Sequence, residues 1–304
     1  MNEITIQIAN INFCIECKDE FEIVDYFKIF QNTNKEKNTC NVHYNVKKIE
    51  QSIFLENEPV YQNERMTVYR IGSVEYRQFP WWNDEANYPM TLKHDINQPD
   101  EYEFLLTAPQ MEMFKNKLHF GTYLALERVM LDYDCFQLHA SVIRVNGHGI
   151  LFSAPSGTGK STQADLWEKY ENAEIINGDK AGIRKMDGRW MAYGLPFAGT
   201  SGIYKNKKAE ISHIIVLKQG KENKLTKLSP REAFVKLYSE TLVHTWDKEF
   251  QENIINMITD VVQNVQIYQY ECLPDKSAVD FLKEQIIKDR GLFIENDEQS
   301  KFVK

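Results

Sequence analysis

Hydrophobic and polar residues alternate through the first part of the chain. The alternation runs over residues 4–8 and 11–15, with isoleucine or phenylalanine at every second position, which is typical of strands whose side chains face opposite sides of a sheet. Asn, Asp, Glu and Pro separate further short strand candidates, at residues 44–46, 66–71 and 102–107. The pattern predicts a small β-rich domain over residues 1–108, to which we assign no chemistry.

From residue 109 the hydrophobic spacing changes to a mixture of helical and buried-strand patterns. Residues 109–132 predict one helix that leads into a second domain. Short apolar runs then predict strands at residues 136–145, 149–154, 173–178, 189–194 and 213–218. Further helices are predicted at 160–172, from a Ser229 cap to about residue 243, at 247–265 and at 276–288, before a polar tail from Gly291. This mixture predicts an α/β fold class, with a second domain over residues 109–304.

Composition and charge narrow the class of protein. The 304 residues are 42% hydrophobic and 26% charged, and 36 basic against 44 acidic residues give a net charge of −8. This acidic balance argues against general binding to nucleic acid or to an anionic membrane. The first residues lack the pattern of a signal peptide, and no apolar run approaches the roughly 20 residues that cross a bilayer. We therefore expect a cytoplasmic protein with no nucleic-acid or membrane partner.

The cysteines raise the question of a zinc site. Cys14-x-x-Cys17 and Cys40-x-x-His43 have the composition of one. However, Cys14 lies in an alternating strand, where positions three apart face opposite sides of the sheet, and Cys40 leads into another strand. We predict ordinary strand residues and no zinc. Five cysteines are an odd and sparse set, which suits a reducing compartment.

The stretch FSAPSGTGKSTQAD, residues 152–165, predicts a phosphate-binding loop between a strand and a helix. Gly157 and Gly159 allow the backbone to turn its N–H groups inward, and the helix opening at Lys160 directs its dipole to the same anion. Lys160 is expected to reach the β- and γ-phosphates of ATP, and Ser161 to bind Mg²⁺. The predicted nucleotide-binding residues are Pro155, Ser156, Gly157, Thr158, Gly159, Lys160, Ser161 and Thr162.

One position departs from the G-x-x-x-x-G-K-[ST] pattern, because Ala154 stands where the first glycine is usual. A small residue suffices there, so the departure only weakens the match. The alternative is a glycine-rich turn with a surface lysine. The strand before the loop and the helix after it favour nucleotide binding.

Three stretches together resemble the catalytic domain of HPr kinase/phosphorylase: LHASVIRVNGHGILFSAPSGTGKST, INGDKAGIR and YGLPFAGTSGIYKN. The chain is more similar to the shorter HPr-kinase-like proteins, some of which accompany peptide-maturation genes. That family belongs to a P-loop group shared with ATP-dependent phosphoenolpyruvate carboxykinase. The resemblance covers about residues 135–245 and implies a P-loop HPr-kinase/phosphoenolpyruvate-carboxykinase-like core that uses ATP and Mg²⁺.

The resemblance implies active-site roles for His139 and Asp179. His139 is expected close to the transferred phosphate, where an imidazole can orient the carboxylate that accepts a proton. Asp179 is expected to accept the proton of the acceptor hydroxyl or to bind Mg²⁺ together with Ser161. The alternatives are a satisfied core histidine and a turn-capping aspartate.

The chain departs from that family at two points. HPr kinases carry two adjacent aspartates where this chain has Gly178-Asp179, so one carboxylate faces two tasks. Their Glu-x-Arg-Gly signature is also missing, and residues 199–202 (GTSG) occupy roughly that region. Phosphorolysis and HPr as a substrate are therefore in doubt.

Two further features allow a binding or a structural interpretation. Lys205, Lys207 and Lys208 could meet phosphate or an acidic peptide, although lysines between strands are more often solvated. The stretch Phe79-Pro80-Trp81-Trp82 could stack on a peptide, although an aromatic turn packed on the sheet is the simpler interpretation.

The leading hypothesis is an ATP-dependent kinase that transfers the γ-phosphoryl group to a hydroxyl, with serine of a peptide or protein as the expected acceptor. Lys160, Asp179 and His139 are the predicted catalytic residues. A precursor peptide of a maturation system is one candidate acceptor, and the β-rich domain could dock it through an exposed strand edge. That domain could equally be a dimer interface or a lid. The alternative functions are a small-molecule kinase and a nucleotide-sensing regulator without catalysis.

Overall fold

The computed structural model describes residues 2–32, 39–80, 88–115, 120–197 and 199–290. Trp81, Trp82 and the polar tail from Gly291 lie outside these ranges. In the described residues the strands are β1 Asn2–Ile8, β2 Ile11–Cys17, β3 Val42–Lys48, β4 Tyr61–Gln62, β5 Thr67–Ile71, β6 Val74–Phe79, β7 Met90–Asp95, β8 Glu101–Leu106, β9 Cys135–Val145, β10 His148–Ser153, β11 Glu174–Asn177, β12 Lys180–Met186, β13 Arg189–Gly194, β14 Lys208–Gln219, β15 Lys224–Lys227 and β16 Gln266–Cys272. The α-helices are α1 Phe120–Tyr123, α2 Leu126–Asp132, α3 Lys160–Glu171, α4 Pro230–Ser239, α5 Lys248–Asn264 and α6 Lys276–Arg290.

The N-terminal sheet consists of the first eight strands in the order β1-β2-β3-β8-β7-β6-β5-β4. The pairings β2–β3 and β3–β8 are parallel, and the others are antiparallel. Alternation decides which side of a strand is buried: Val42, Tyr44 and Val46 of β3 are in the core, whereas the side chains between them are more exposed. The predicted strands of residues 1–108 all lie in this sheet.

The second sheet follows the order β10-β9-β12-β13-β14-β16-β15, and β11 pairs with β9. A further parallel pairing of β10 with β14 closes a circuit of five strands. Helices α3 and α6 contribute Trp167, Leu282 and Ile286 to one apolar cluster on these strands. Helices α4 and α5 contribute Leu237 and Ile258 to a second cluster. Strands covered by helices in this way make the chain an α/β protein, as the sequence predicted.

Local signals locate several helix ends. Ser229 and Glu232 form the predicted capping box at the start of α4, and Asp247 caps α5 by accepting from the N–H of Phe250. Helix α4 ends at Ser239, four residues earlier than predicted. Among the described helices, none combines the length and the apolar character needed to cross a membrane.

The single helix predicted over residues 109–132 is wrong. A 3₁₀ helix covers Pro109–Lys115, and α1 and α2 follow as two short helices. Ala125, directly before α2, has φ 48°, in the left-handed region, so the helical path cannot continue through it. The apolar residues of this stretch do face a core, but they lie on three short segments and not on one helix.

The N-terminal sheet and the helices that follow it share that core. Phe104 and Leu92 of the sheet belong to the same apolar cluster as Phe120, Val129 and Met130 of α1 and α2. Hydrogen bonding accompanies the packing, since the buried hydroxyl of a tyrosine on β3 donates to the carbonyl of Leu124 at 2.6 Å. Residues on both sides of the boundary predicted at residue 108 therefore share one continuous hydrophobic core.

A buried ion network crosses the same interface. Arg77 of β6 pairs with Glu75 at 2.8 Å and with Glu127 of α2 at 2.6 Å. Burial would raise the pKa of Glu127, but the neighbouring Arg77 and His244 hold it at about 2. Asp247, at the start of α5, pairs with an arginine of β5 and with one of α2. Charges buried this deeply are tolerated only when each has a partner.

Cys14 and Cys40 are joined by a disulfide in the structure, while Cys17, Cys135 and Cys272 are free. From the sequence we expected ordinary strand residues at these positions and a reducing compartment, and this bridge was not predicted. Within the described residues no group of three or more His, Cys, Asp or Glu side chains is placed to hold a metal ion. The bridge uses two of the four residues of the considered zinc motif.

Candidate functional site

The small-residue loop connects β10 to α3 with glycines at the turning points. Gly157 has φ 79° and Gly159 has φ 119°, both in the region that side chains with a Cβ rarely adopt. No side chain caps the first turn of α3. The backbone donors at this helix end are therefore available to an anion, as a phosphate loop requires.

Lys160 lies across the loop that it follows. Its Nζ donates to the carbonyls of Ala154 at 2.8 Å and Pro155 at 3.4 Å, and the residue is only 7% exposed. Burial lowers the pKa of Lys160, and the negative charges of Asp179 and Glu240 oppose that shift. The loop thus holds an ammonium group at its centre by hydrogen bonds to its own carbonyls.

Asp179 is positioned by the turn that follows β11. The side-chain oxygen of Asn177 accepts from the N–H groups of Asp179 at 2.8 Å and Lys180 at 2.9 Å. The amide of Asn177 also donates to the carbonyls of Leu195 and Phe197, which fixes the turn to the next strand connection. A buried asparagine therefore fixes the backbone turn that carries Asp179.

His139 lies on β9 between two carboxylates. Its Nε2 is 3.4 Å from Oδ1 of Asp179, and its Nδ1 is 3.0 Å from Oε2 of Glu240. Both interactions are satisfied when each ring nitrogen carries a proton. The hydrogen bond from His139 lowers the pKa of Asp179, against the effect of burial, so Asp179 is held as a carboxylate.

Glu240 is the site residue that sequence reasoning missed. It follows the last turn of α4, and its backbone carbonyl accepts from the N–H of His139 at 2.9 Å. Leu138 and Thr241 form an isolated bridge, and Leu242 N–H donates to Gln137. No local motif distinguishes this glutamate. Only its long-range pairing with β9 brings it to His139.

The position of the expected second aspartate has no room for a side chain. A Cβ on Gly178 would lie against the hydroxyl of Ser201 and 2.6 Å from its Cβ. A Cβ on Gly199 would likewise lie 2.7 Å from Cγ of Asp179. Residues 199–202 therefore pack directly against Gly178 and Asp179. The packing of Ser201 therefore leaves no room for an aspartate at position 178.

One cleft of about 200 Å³ collects most of the predicted site. Its lining includes His139, Ser156, Gly157, Gly159, Lys160, Ser161, Thr162 and Asp179, together with Gly178 and Thr200. Pro155 and Thr158 belong to the loop but do not line the cleft. Two larger clefts, of about 500 and 540 Å³, lie along the N-terminal sheet. Size alone would favour these two clefts as the functional site. However, the residues of the phosphate loop, including the buried Lys160, do not line them.

The lysines of the following loop are engaged elsewhere. Lys205 and Lys207 pair with Glu174 at 3.3 and 2.5 Å, and Arg144 pairs with the same carboxylate. Lys208 lies over the ring of Tyr193. None of the three lysines lines the cleft with the phosphate loop. These contacts favour a structural role for the three lysines over phosphate or peptide binding.

The donors in the cleft suit a magnesium ion. Ser161 offers a hydroxyl oxygen and Asp179 a carboxylate oxygen, and both line the cleft. Mg²⁺ takes such oxygen ligands and usually completes its shell with water and substrate phosphates. The residues present therefore fit a Mg²⁺ ion carried with a nucleotide.

Comparison with known proteins adds little to this geometry. No protein-family model matches the sequence, and no curated protein matches it. Among solved structures, the chain is similar to the HPr(Ser) kinase/phosphatase from Coxiella burnetii. The identity is 13%, the match covers 51% of this chain and 96% of that chain, and the TM-score is 0.29. A likeness at this level carries no weight, so the functional conclusion depends on the site itself.

Proposed function

We propose that the protein is an ATP-dependent phosphotransferase that moves the γ-phosphoryl group of ATP to a hydroxyl group. One observation carries the proposal: the loop with its buried Lys160 shares a cleft with a carboxylate, Asp179, that is hydrogen-bonded to His139. Anion-binding donors and a proton acceptor in one small cleft are two of the recurring parts of sites for phosphoryl transfer.

The loop and Lys160 would neutralise the charge of the transferring group. The N–H groups at the start of α3 would donate to phosphate oxygens, and Lys160 would add a positive charge there. Ser161 would hold Mg²⁺ together with the nucleotide phosphates, which leaves the Asp179 carboxylate for proton transfer; the ion supplies further neutralisation of phosphate charge when it is bound. These contributions lower the barrier because charge spreads over the phosphoryl oxygens in the transition state.

Asp179 would accept the proton of the acceptor hydroxyl. In the proposed step the acceptor oxygen bonds to the γ-phosphorus, and the bond from that phosphorus to the bridging oxygen breaks. ADP leaves with the bond electrons, and the hydroxyl proton passes to Asp179. His139 keeps this carboxylate oriented through its contact at 3.4 Å.

We propose serine of a peptide or protein as the acceptor, with a small-molecule hydroxyl as the alternative. A non-catalytic nucleotide sensor is a second candidate function, favoured by one observation: Gly178 excludes a second adjacent aspartate. Both kinase alternatives require phosphate transfer, and the sensor requires only nucleotide binding. Transfer is therefore the property to measure.

The first experiment measures MgATP binding by calorimetry for the wild type, Lys160→Ala and the matched control Lys205→Ala. Lys160→Ala should weaken binding because it removes the charge at the loop centre, whereas Lys205 pairs with Glu174 outside the cleft. Equal affinity for Lys160→Ala and the wild type would show that the loop is not the nucleotide site.

The second experiment measures transfer from γ-labelled ATP to seryl peptides, to the same peptides with alanine in place of serine, and to free serine. Asp179→Asn should reduce transfer by about 10²–10⁴-fold, as the loss of a general base typically does. Binding of MgATP without transfer to any of these hydroxyls would favour the sensor. Full transfer by Asp179→Asn would refute the role of Asp179 as the base.

A further inference from the structure

Glu240 supplies the second carboxylate of a site that lacks one beside Asp179. The Ser201 side chain fills the space into which a side chain at position 178 would extend. Across the histidine ring from Asp179, the side chain of Glu240 is 13% exposed and faces Nδ1 of His139 at 3.0 Å. Asp179 and Glu240 both act electrostatically on Lys160. The site therefore contains two acids that are separated by an imidazole.

We infer that Glu240 is a positioning residue that fixes the orientation of His139 toward Asp179. The catalytic consequence rests on the proposed function, but the hydrogen bond itself does not. Glu240 accepts the Nδ1 proton, so the ring is held with Nε2 directed at Oδ1 of Asp179. A carboxylate behind an imidazole sets both the proton position and the ring orientation in this way.

The location of Glu240 indicates that it acts through His139. Glu240 does not line the cleft of the phosphate loop. It lines a neighbouring cleft of about 180 Å³, and His139 is the residue that lines both. A role in direct contact with the phosphates is therefore not assigned to Glu240, and its influence on Asp179 passes through the ring.

The backbone around Glu240 makes a clean substitution feasible. Its carbonyl binds the N–H of His139, and the adjoining bridge and hydrogen bond involve backbone atoms of Thr241 and Leu242. None of these contacts uses the glutamate side chain. Removing the carboxylate should therefore leave the pairing with β9 intact and change only the support of the ring.

The test is nitrogen-15 NMR of the full chain with labelled histidines, in which the spectrum of His139→Gln identifies the His139 ring among the seven histidines. The wild type should show a proton on Nδ1. Glu240→Ala should shift the Nδ1 resonance as the acceptor is lost, whereas Glu240→Gln should retain the proton because an amide oxygen also accepts. If the alanine variant does not fold, Glu240→Asp replaces it in the test, because the shorter aspartate side chain cannot make the same contact.

Glu232→Gln is the matched control, since it removes a carboxylate from the other end of α4 and glutamine still completes a capping box. This control should leave the His139 resonances unchanged. An unchanged Nδ1 resonance in folded Glu240→Ala or Glu240→Asp would overturn the inference.

Transfer measurements separate the inference from the proposed function. Glu240→Ala should lower kcat by about 10- to 100-fold, the range known for carboxylates that orient metal-bound imidazoles, with unchanged affinity for MgATP. A wild type without transfer activity would refute the phosphotransferase, while an Nδ1 proton dependent on Glu240 would still support the positioning role. A Glu240→Ala variant with wild-type kcat would refute the catalytic consequence of the positioning role and would leave the phosphotransferase standing.

Discussion

Replacing Gly178 by alanine tests why this chain has a single aspartate after β11. The added Cβ would lie 2.6 Å from the Cβ of Ser201, whereas carbon atoms in contact prefer about 3.5–4.0 Å. Rotating the serine hydroxyl moves only Oγ, because the backbone fixes Cβ. Residues 199–202 must therefore retreat by about 1 Å to accept the methyl group.

The expected magnitude follows from two opposing effects. Inserting a methyl group into a packed site typically costs about 1–3 kcal/mol. Alanine also lowers the conformational entropy of the unfolded chain, which stabilises the folded state by about 0.4–1 kcal/mol. Gly178→Ala should therefore lose about 1–2 kcal/mol of unfolding free energy. Because Gly199 packs against Asp179, the same retreat should also disturb the carboxylate and reduce phosphate transfer.

The assay is urea unfolding of the wild type, Gly178→Ala, Ser201→Gly and the double variant. Ser201→Gly removes the colliding atoms, so the double variant should recover much of the loss, and the double-mutant cycle should give a coupling of about 1 kcal/mol. Full stability of Gly178→Ala, or a cycle without coupling, would refute the steric explanation.

Three further predictions concern the rest of the fold. Burial raises the pKa of Asp132 to about 6, above that of an unfolded aspartate, so the folded state holds the proton more tightly. The contribution of this residue to stability should decrease as pH rises between about 4 and 6, and Asp132→Asn should remove that slope in urea unfolding measured across this range. Glu127→Gln should cost about 3 kcal/mol, because the buried Arg77 loses a charged partner; a loss within the error of the unfolding measurement would contradict this. A chain beginning at Pro109 should not unfold cooperatively, since α1 and α2 lose the N-terminal sheet against which they pack; a folded, MgATP-binding truncation would contradict this.

The features predicted correctly from sequence have local causes. The capping box at Ser229 depends on residues within one helical turn, and the helix predicted from Asp247 begins one residue later, at Lys248. The loop of residues 154–159 is also local, because its glycines and the helix that opens at Lys160 are consecutive. Patterns of this kind can be recognised without knowledge of the rest of the chain.

The features that sequence reasoning missed depend on distant segments. Glu240 reaches His139 because residues 240–242 pair with β9, about a hundred positions earlier in the chain. Position 178 accepts only glycine because Ser201, from another loop, fills the space that a side chain there would need. The helix predicted over residues 109–132 is divided at Ala125, where packing into the N-terminal sheet overrides the apolar spacing. Neither propensity nor spacing encodes such contacts.

The connection between the two sheets also bears on the role of the N-terminal one. The segment from Glu240 to Asp247 begins at the candidate site and ends in the buried ion network. Within it, His244 pairs with Glu127 at 3.0 Å, and Asp247 pairs with Arg70 of β5. Seven positions along the chain thus separate the group that supports the histidine ring from a charge anchored on the N-terminal sheet. Contacts at both ends fix this segment, and the N-terminal sheet supplies the one at Asp247. Acceptor docking on that sheet is therefore better tested by point changes on its outer strands in the full chain than by its removal.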